Sequence, residues 1–227
     1  MTTRISFIGL GVMGYPMAGH LSGRPDTAVC VWNRSRDKAE RWAAAFGGSI
    51  AGSPAEAAAD ADVVLTCVGA DPDLAELYLG PEGIIANAAP GTLLIDHTTA
   101  SAQMARTLAA EAAARDLLWL DAPVSGGQQG AEKGQLTIMC GGEAEAFVRA
   151  EPVLAAYGKA VTHLGDAGAG QLTKCANQIA VAGVLQGLAE ALHFSEQAGL
   201  DANRVVDVIS QGAAQSWQMN NRAETML

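Results

Sequence analysis

At 227 residues, with 49% hydrophobic and 17% charged residues, the chain has enough apolar material for a sizeable core, which excludes a disordered or fibrous protein. A formal charge of −10, with no Lys/Arg cluster to offset it, argues against a nucleic-acid partner. The most apolar stretch, residues 179–185, falls far short of a membrane span, and no signal peptide precedes the first apolar run, so no membrane partner is expected.

Near the start, Ile5, Phe7 and Ile8 read as a buried parallel strand that leads straight into Gly9-Leu10-Gly11-Val12-Met13-Gly14. Met13, Met17 and Leu21 then recur at helical spacing. In a strand–turn–helix setting the G-x-G-x-x-G pattern has a mechanism. Gly9 makes the tight turn, Gly11 bares the backbone to a pyrophosphate, and Gly14 lets the helix pack close to the strand. The helix N-terminus offers free N–H groups and a positive dipole end. The competing reading is a glycine-rich turn without a ligand.

A second buried strand, 28–32, is followed by a helix over 37–46. Ser53-Pro54-Ala55-Glu56 has the form of a capping box with proline at the first helical position. Strands at 62–68, 93–96, 117–121, 136–140 and 160–164 alternate with helices from about 72, over 101–115 and over 143–157. This alternation predicts an α/β fold: a Rossmann-type, doubly wound, mainly parallel sheet with ligands outside the strand carboxyl ends.

From about residue 165 only helices are expected: a long one to about 198, one capped by Asp201 and closed before Gly212, and one from 216. Two domains follow, 1–165 for the dinucleotide and 166–227 for a long interdomain helix and the start of an all-helical domain. The last helix ends without a cap, and about sixty helical residues are too few for an independent core. The chain is therefore expected to be short at its C-terminus and the helical domain incomplete. Cys30, Cys67, Cys140 and Cys175 lie far apart with no metal spacing, so no metal is expected and a reduced, cytoplasmic protein is. The four histidines are read as structural.

At the end of the second strand, where a carboxylate would bind the NAD ribose, stand Asn33, Arg34, Ser35 and Arg36. An uncharged amide beside guanidiniums and a hydroxyl suits a 2′-phosphate, so NADP is preferred, with NAD possible. The alternative is solvated surface charge with dual specificity.

Two further segments carry chemistry. Asp121-Ala-Pro-Val-Ser125-Gly126-Gly127 offers a hydroxyl and bare amides to a carboxylate, or is an ordinary turn. In the second, Lys174 and Asn177 are three apart and share a helix face, with Gly170 one turn earlier leaving room for a ligand. Lys174, in a helix poor in charge, is either a snorkelling residue or a desolvated one of lowered pKa able to exchange a proton.

Four stretches match in order: Phe7 to Met17, Asp96-His97-Thr98-Thr99, Asp121 to Gly127, and Gly168 to Asn177. On these the chain resembles the β-hydroxyacid dehydrogenases, the group containing 3-hydroxyisobutyrate dehydrogenase, tartronate semialdehyde reductase and glyoxylate/succinic semialdehyde reductase. The resemblance implies hydride transfer between NAD(P) and a small 3-hydroxy acid or its semialdehyde. It makes Lys174 the catalytic acid/base, Asn177 the residue that orients the substrate, and Ser125, Gly126 and Gly127 the holders of the carboxylate. Val68, Gly69 and Thr99 would lie near the nicotinamide ribose, and Gln178 would be a substrate-facing amide where asparagine is common. His97 stands where a small or apolar residue is common. Members carry a longer helical domain that closes over the nicotinamide, and a homo-oligomer through that domain is implied. Two rival readings are an imine reductase, which usually lacks the lysine, and a non-catalytic cofactor-binding protein, for which the short C-terminus is the only support.

Overall fold

The computed structural model describes residues 2–227. Strand β1 (Thr3–Ile8) lies between β2 (Thr27–Trp32) and β4 (Val63–Thr66), parallel to both. Strand β3 (Ser49–Ile50) adds outside β2, while β5 (Leu93–Asp96) and β6 (Leu118–Asp121) add outside β4. The six parallel strands run in the order 3-2-1-4-5-6, so the winding reverses between β1 and β4. The crevice at that reversal opens at the carboxyl ends, where Gly9 follows Ile8 and Cys67 follows Thr66.

Beyond β6 the direction changes. β7 (Val124–Ser125) and β8 (Leu136–Gly142) pair antiparallel, β8 also runs antiparallel to β6, and β9 (Gly158–His163) runs parallel to β8. Helices α1 (Gly14–Ser22), α2 (Arg36–Phe46), α7 (Gly127–Glu132) and α8 (Ala144–Leu154) contribute to one core with Phe7, Leu65 and Leu120. Helices α3 (Pro54–Ala59), α4 (Asp71–Tyr78), α5 (Ile84–Asn87) and α6 (Ala102–Ala113) contribute to the other with Ile8, Val64 and Trp119. Neighbouring strand residues thus point to opposite cores. A sheet covered on both faces requires near-continuous apolar runs such as Val63-Val64-Leu65.

The chain packs as two compact units, Met1–Lys174 and Cys175–Leu227. Helix α9 (Ala169–Gln197) begins in the first and continues as part of the second, so packing divides the chain later than the change of pattern at 165. The second unit also holds α10 (Ala202–Ile209) and α11 (Trp217–Met226), capped by Asp201 and Ser216, around a small cluster of Leu188, Leu192 and Met219. The expected elements are all present to within a few residues. Unanticipated were β3, α5, β7 and α7, all too short to carry a period. The capping box is also altered. Ser53 accepts from the Glu56 N–H at 3.1 Å, but the Glu56 carboxylate reaches back to the Gly52 N–H rather than to that of Ser53.

The three glycines of the first turn do different work. Gly9 has φ +99°, and a Cβ there would run into the Cys67 carbonyl. A Cβ on Gly14 would strike the Gly9 carbonyl and, at 2.9 Å, the Phe7 ring. Gly11 has nothing within 4 Å. Gly14→Ala is therefore expected to cost about 1–3 kcal/mol by forcing α1 off the sheet. Gly11→Ala should stay within about 0.5 kcal/mol. Urea unfolding of the two variants side by side checks the contrast.

Candidate active site

The site is built where β1, β4, β5 and β6 end. The glycine turn is anchored by Gly9 N–H to the Trp32 carbonyl at 3.0 Å and by Leu10 N–H to Asn33 Oδ1 at 2.8 Å. Asn33 Nδ2 donates to the Ser35 carbonyl, so this side chain braces the turn, a role its position in sequence did not suggest. Arg34 is 85% exposed and stands 3.7 Å from Asp73, while Arg36 pairs with Glu40 along α2. Ser35 precedes α2 without a side-chain capping bond. Val12 is exposed and Met13 half-buried, leaving the rim of the turn open.

Those features pass the test for a dinucleotide. Gly11 leaves free space where a pyrophosphate must approach, and the two neighbouring glycines are where a side chain would jam the turn against the sheet. The β2 tip itself, Asn33 to Arg36, carries no carboxylate, although Asp73 of α4 stands against Arg34. A groove of about 620 Å³ leads from Leu10, Gly11 and Val12 along α1 toward Gln128 and Glu132 of α7, but Lys174 does not line it.

Across the crevice, the Val68 N–H donates to Thr98 Oγ1 at 3.0 Å, tying the loop after β4 to the loop after β5. Gly69 is exposed, and a Cβ there would press on the Asp73 carboxylate, which accepts from the Ala70 N–H. Thr99 is exposed. Beneath them Asp96 is fully enclosed. It accepts from Thr66 Oγ1 at 2.7 Å and from the Thr98 N–H at 3.0 Å, and burial pushes its carboxyl up to about 7.

Asp121, at the end of β6, has the decisive contacts. Its Oδ1 accepts from the Gly168 N–H at 2.7 Å and its Oδ2 from the Gln171 N–H at 2.9 Å. A buried carboxylate thus caps the start of α9, where free N–H groups and the dipole favour negative charge. Gln171, 1% exposed, accepts from the Ala100 N–H at 3.0 Å and donates to the Thr98 carbonyl at 2.7 Å. The first turn of α9 is so latched to the end of β6 and to the loop after β5. Sequence reasoning missed both residues as site components, although each lies in a stretch it singled out.

Gly170 must be reassigned. A Cβ there would strike the Met139 carbonyl and, at 2.7 Å, the Asp121 carbonyl. The bare position seats the helix on β6 and β8 and leaves no room for a ligand. One turn later Lys174 is buried, with its Nζ donating to the Val124 carbonyl at 2.8 Å. Desolvation lowers its pKa below the ordinary lysine range. The snorkelling alternative fails, because the amine is drawn in against β7 instead of out to water.

Val124 adjoins Ser125, which is half-buried. Gly126 and Gly127 follow with φ +134° and +61°, values that favour glycine, and they are exposed where α7 begins. Asn177 and Gln178 lie farther along α9, with Asn177 Nδ2 donating to Gln178 Oε1 at 3.1 Å. Among the described residues no cluster of His, Cys, Asp and Glu could hold a metal, and no helix is long and apolar enough to cross a membrane.

A dinucleotide cradle at a switch point, together with a desolvated lysine beside β7, defines an NAD(P)-binding oxidoreductase. The profile of the NAD binding domain of 6-phosphogluconate dehydrogenase matches residues 4–165, and that described as NAD-binding of NADP-dependent 3-hydroxyisobutyrate dehydrogenase matches 168–227. An uncharacterised oxidoreductase of Shewanella frigidimarina is 53% identical over 98% of this chain and 76% of its own length. A 3-hydroxyisobutyrate dehydrogenase of Pseudomonas aeruginosa is 39% identical over 96% of this chain and 72% of its own. The solved 3-hydroxyisobutyrate dehydrogenase of Mycobacterium tuberculosis with L-serine superposes with a TM-score of 0.86 at 38% identity, covering 96% of this chain and 73% of that one. The chain belongs to the β-hydroxyacid dehydrogenase family.

Asp121→Asn presents an amide donor to a backbone N–H that now finds an acceptor. The variant is expected to lose about 1.5–3 kcal/mol of stability in urea unfolding.

Proposed function

We propose that the chain oxidises a small 3-hydroxy acid with NADP, or reduces the corresponding semialdehyde with NADPH, using Lys174 as acid and base. The observation that carries this reading is the Lys174 amine itself. It is desolvated, lowered in pKa, and held by the carbonyl next to Ser125 at the carboxyl end of the sheet. In the relative crystallised with L-serine, the bound molecule is itself a 3-hydroxy acid.

Residues 1–165 bind the dinucleotide through Gly9, Leu10, Gly11, Val12, Met13 and Gly14, with Val68, Gly69 and Thr99 at the nicotinamide ribose. When bound, the nicotinamide supplies or accepts the hydride. Ser125 and the N–H groups of Gly126 and Gly127 hold the substrate carboxylate, which fixes the reacting carbon. Asn177 orients the substrate oxygen, with Gln178 beside it, from the stretch 166–227 that opens the helical domain.

In oxidation the neutral Lys174 amine takes the hydroxyl proton as the hydride leaves the same carbon. In reduction the ammonium returns that proton to the carbonyl oxygen, and its charge stabilises the developing alkoxide. The absence of a carboxylate at Asn33, with Arg34 and Ser35 beside it, supports NADP over NAD. Four free thiols support a cytoplasmic setting, and the helical stretch supports a homo-oligomer.

The test follows reduced nicotinamide absorbance, with NADPH and then NADH, against glyoxylate and succinic, tartronate and methylmalonate semialdehydes, and in reverse with 3-hydroxyisobutyrate and serine. Lys174→Ala should lower turnover about 10²–10⁴-fold while cofactor affinity stays within about twofold. Turnover within a few-fold of the parent overturns the assignment. Because the amine pKa is lowered, oxidation should rise with pH, and reduction fall, through a midpoint below the ordinary lysine range of about 10.4. Arg34→Ala should weaken NADPH by about tenfold, the worth of one charge-assisted phosphate contact, and leave NADH unchanged.

A further inference from the structure

His97 occupies the turn between β5 and the loop that carries Thr98 and Thr99, and nothing in the proposed chemistry uses it. It is 2% exposed, and both ring nitrogens are engaged. Nδ1 lies 2.7 Å from the Ala122 carbonyl and Nε2 lies 2.8 Å from the Tyr157 hydroxyl. A carbonyl accepts only, so Nδ1 must carry the proton. Nε2 of the neutral ring is then an acceptor, and the Tyr157 hydroxyl must donate. Burial holds the imidazole down to about 4 and the phenol well above its ordinary value, so both partners stay neutral and the direction of this relay does not reverse near neutral pH.

Its far end is the segment that matters most to the site. Ala122 is the first residue beyond β6, where the ladder to β5 runs out. Its N–H still donates to the Asp96 carbonyl at 2.7 Å, but its carbonyl has lost a strand partner and takes the His97 ring instead. Two residues on, the Val124 carbonyl receives Lys174, and Ser125 follows.

We infer that His97, its tautomer fixed by the Ala122 carbonyl and its other nitrogen held by Tyr157, is a positioning residue that sets the Ala122–Ser125 segment and through it the Lys174 amine. This rests on the proposed role of Lys174 for its effect on turnover, but not for its effect on the position of the amine.

The test turns on which nitrogen is replaced. His97→Asn keeps an amide donor at the Nδ1 position, whereas His97→Gln puts its amide at the Nε2 position, able to meet Tyr157 but not Ala122. Both keep a polar side chain in the core, and cofactor affinity together with the melting temperature reports that each variant is folded. With the substrate found in the panel above, His97→Gln should lower kcat about tenfold or more and raise KM for the acid, since small misplacements of reacting groups are costly. His97→Asn should restore kcat to within about threefold of the parent, and Tyr157→Phe should fall between the two.

A second readout needs no turnover: the rate at which trinitrobenzenesulfonate labels Lys174, followed by peptide mass spectrometry. It should rise several-fold in His97→Gln and stay near the parent in His97→Asn. Equal labelling of Lys174 in parent, His97→Asn and His97→Gln overturns the inference, whatever the kinetics. If Lys174→Ala keeps its turnover while the labelling pattern holds, the catalytic assignment falls and the positioning role stands.

Discussion

The site depends on one buried carboxylate. Asp121 ends β6 and at the same time receives the first N–H groups of α9, so a single residue joins the last strand of the parallel sheet to the helix that bears the lysine. The pairing satisfies both sides. The helix start needs acceptors, and a carboxylate enclosed at a strand end needs donors. Gln171 then ties the same turn to the loop after β5, which is in turn tied by Thr98 to the loop after β4. Three strand ends and one helix start are therefore tied together, and Lys174 inherits its place from them.

Much of the fold could be read directly. The alternation of apolar runs and amphipathic stretches announced the parallel sheet, and Gly9, Gly11 and Gly14 announced the crevice. What could not be read is the work done by contacts between distant parts of the chain. Asn33 looked suited to a 2′-phosphate because of its place after β2, and the sequence did not show that its side-chain oxygen also holds Leu10, across 23 positions. Gly170 looked like space for a ligand, and the space is filled by β8. Gln171 has no local signal at all, since its two partners lie about seventy residues back. For Lys174 the flanking sequence left two environments open, and only the Val124 carbonyl decides between them.

The two glycine-rich segments obey opposite demands. The first turn uses bare positions so that the chain folds back on itself, with Gly14 against Gly9, and leaves one glycine facing empty space. At residues 126–127 the bare positions permit positive φ where β7 turns into α7. The first is a demand of packing and access, joined at Gly9 by one of backbone shape, whereas the second is mainly of backbone shape.

The reversal of direction after β6 has a broader implication. Between parallel strands a chain must travel back across a face of the sheet, so any change of length there disturbs the core. Between β6 and β8 it need not: the strands are antiparallel, and residues 122–135 leave and return at the same edge. Ala122 to Gly127 carry the proposed site and Ala131 packs in the core, so insertions and deletions can accumulate only in the exposed turn around Lys133 and Gln135, while the register of Leu120 with Gly142 persists. The architecture thereby confines the part of the molecule free to diverge to a short exposed turn, a few residues along the chain from the proposed carboxylate site.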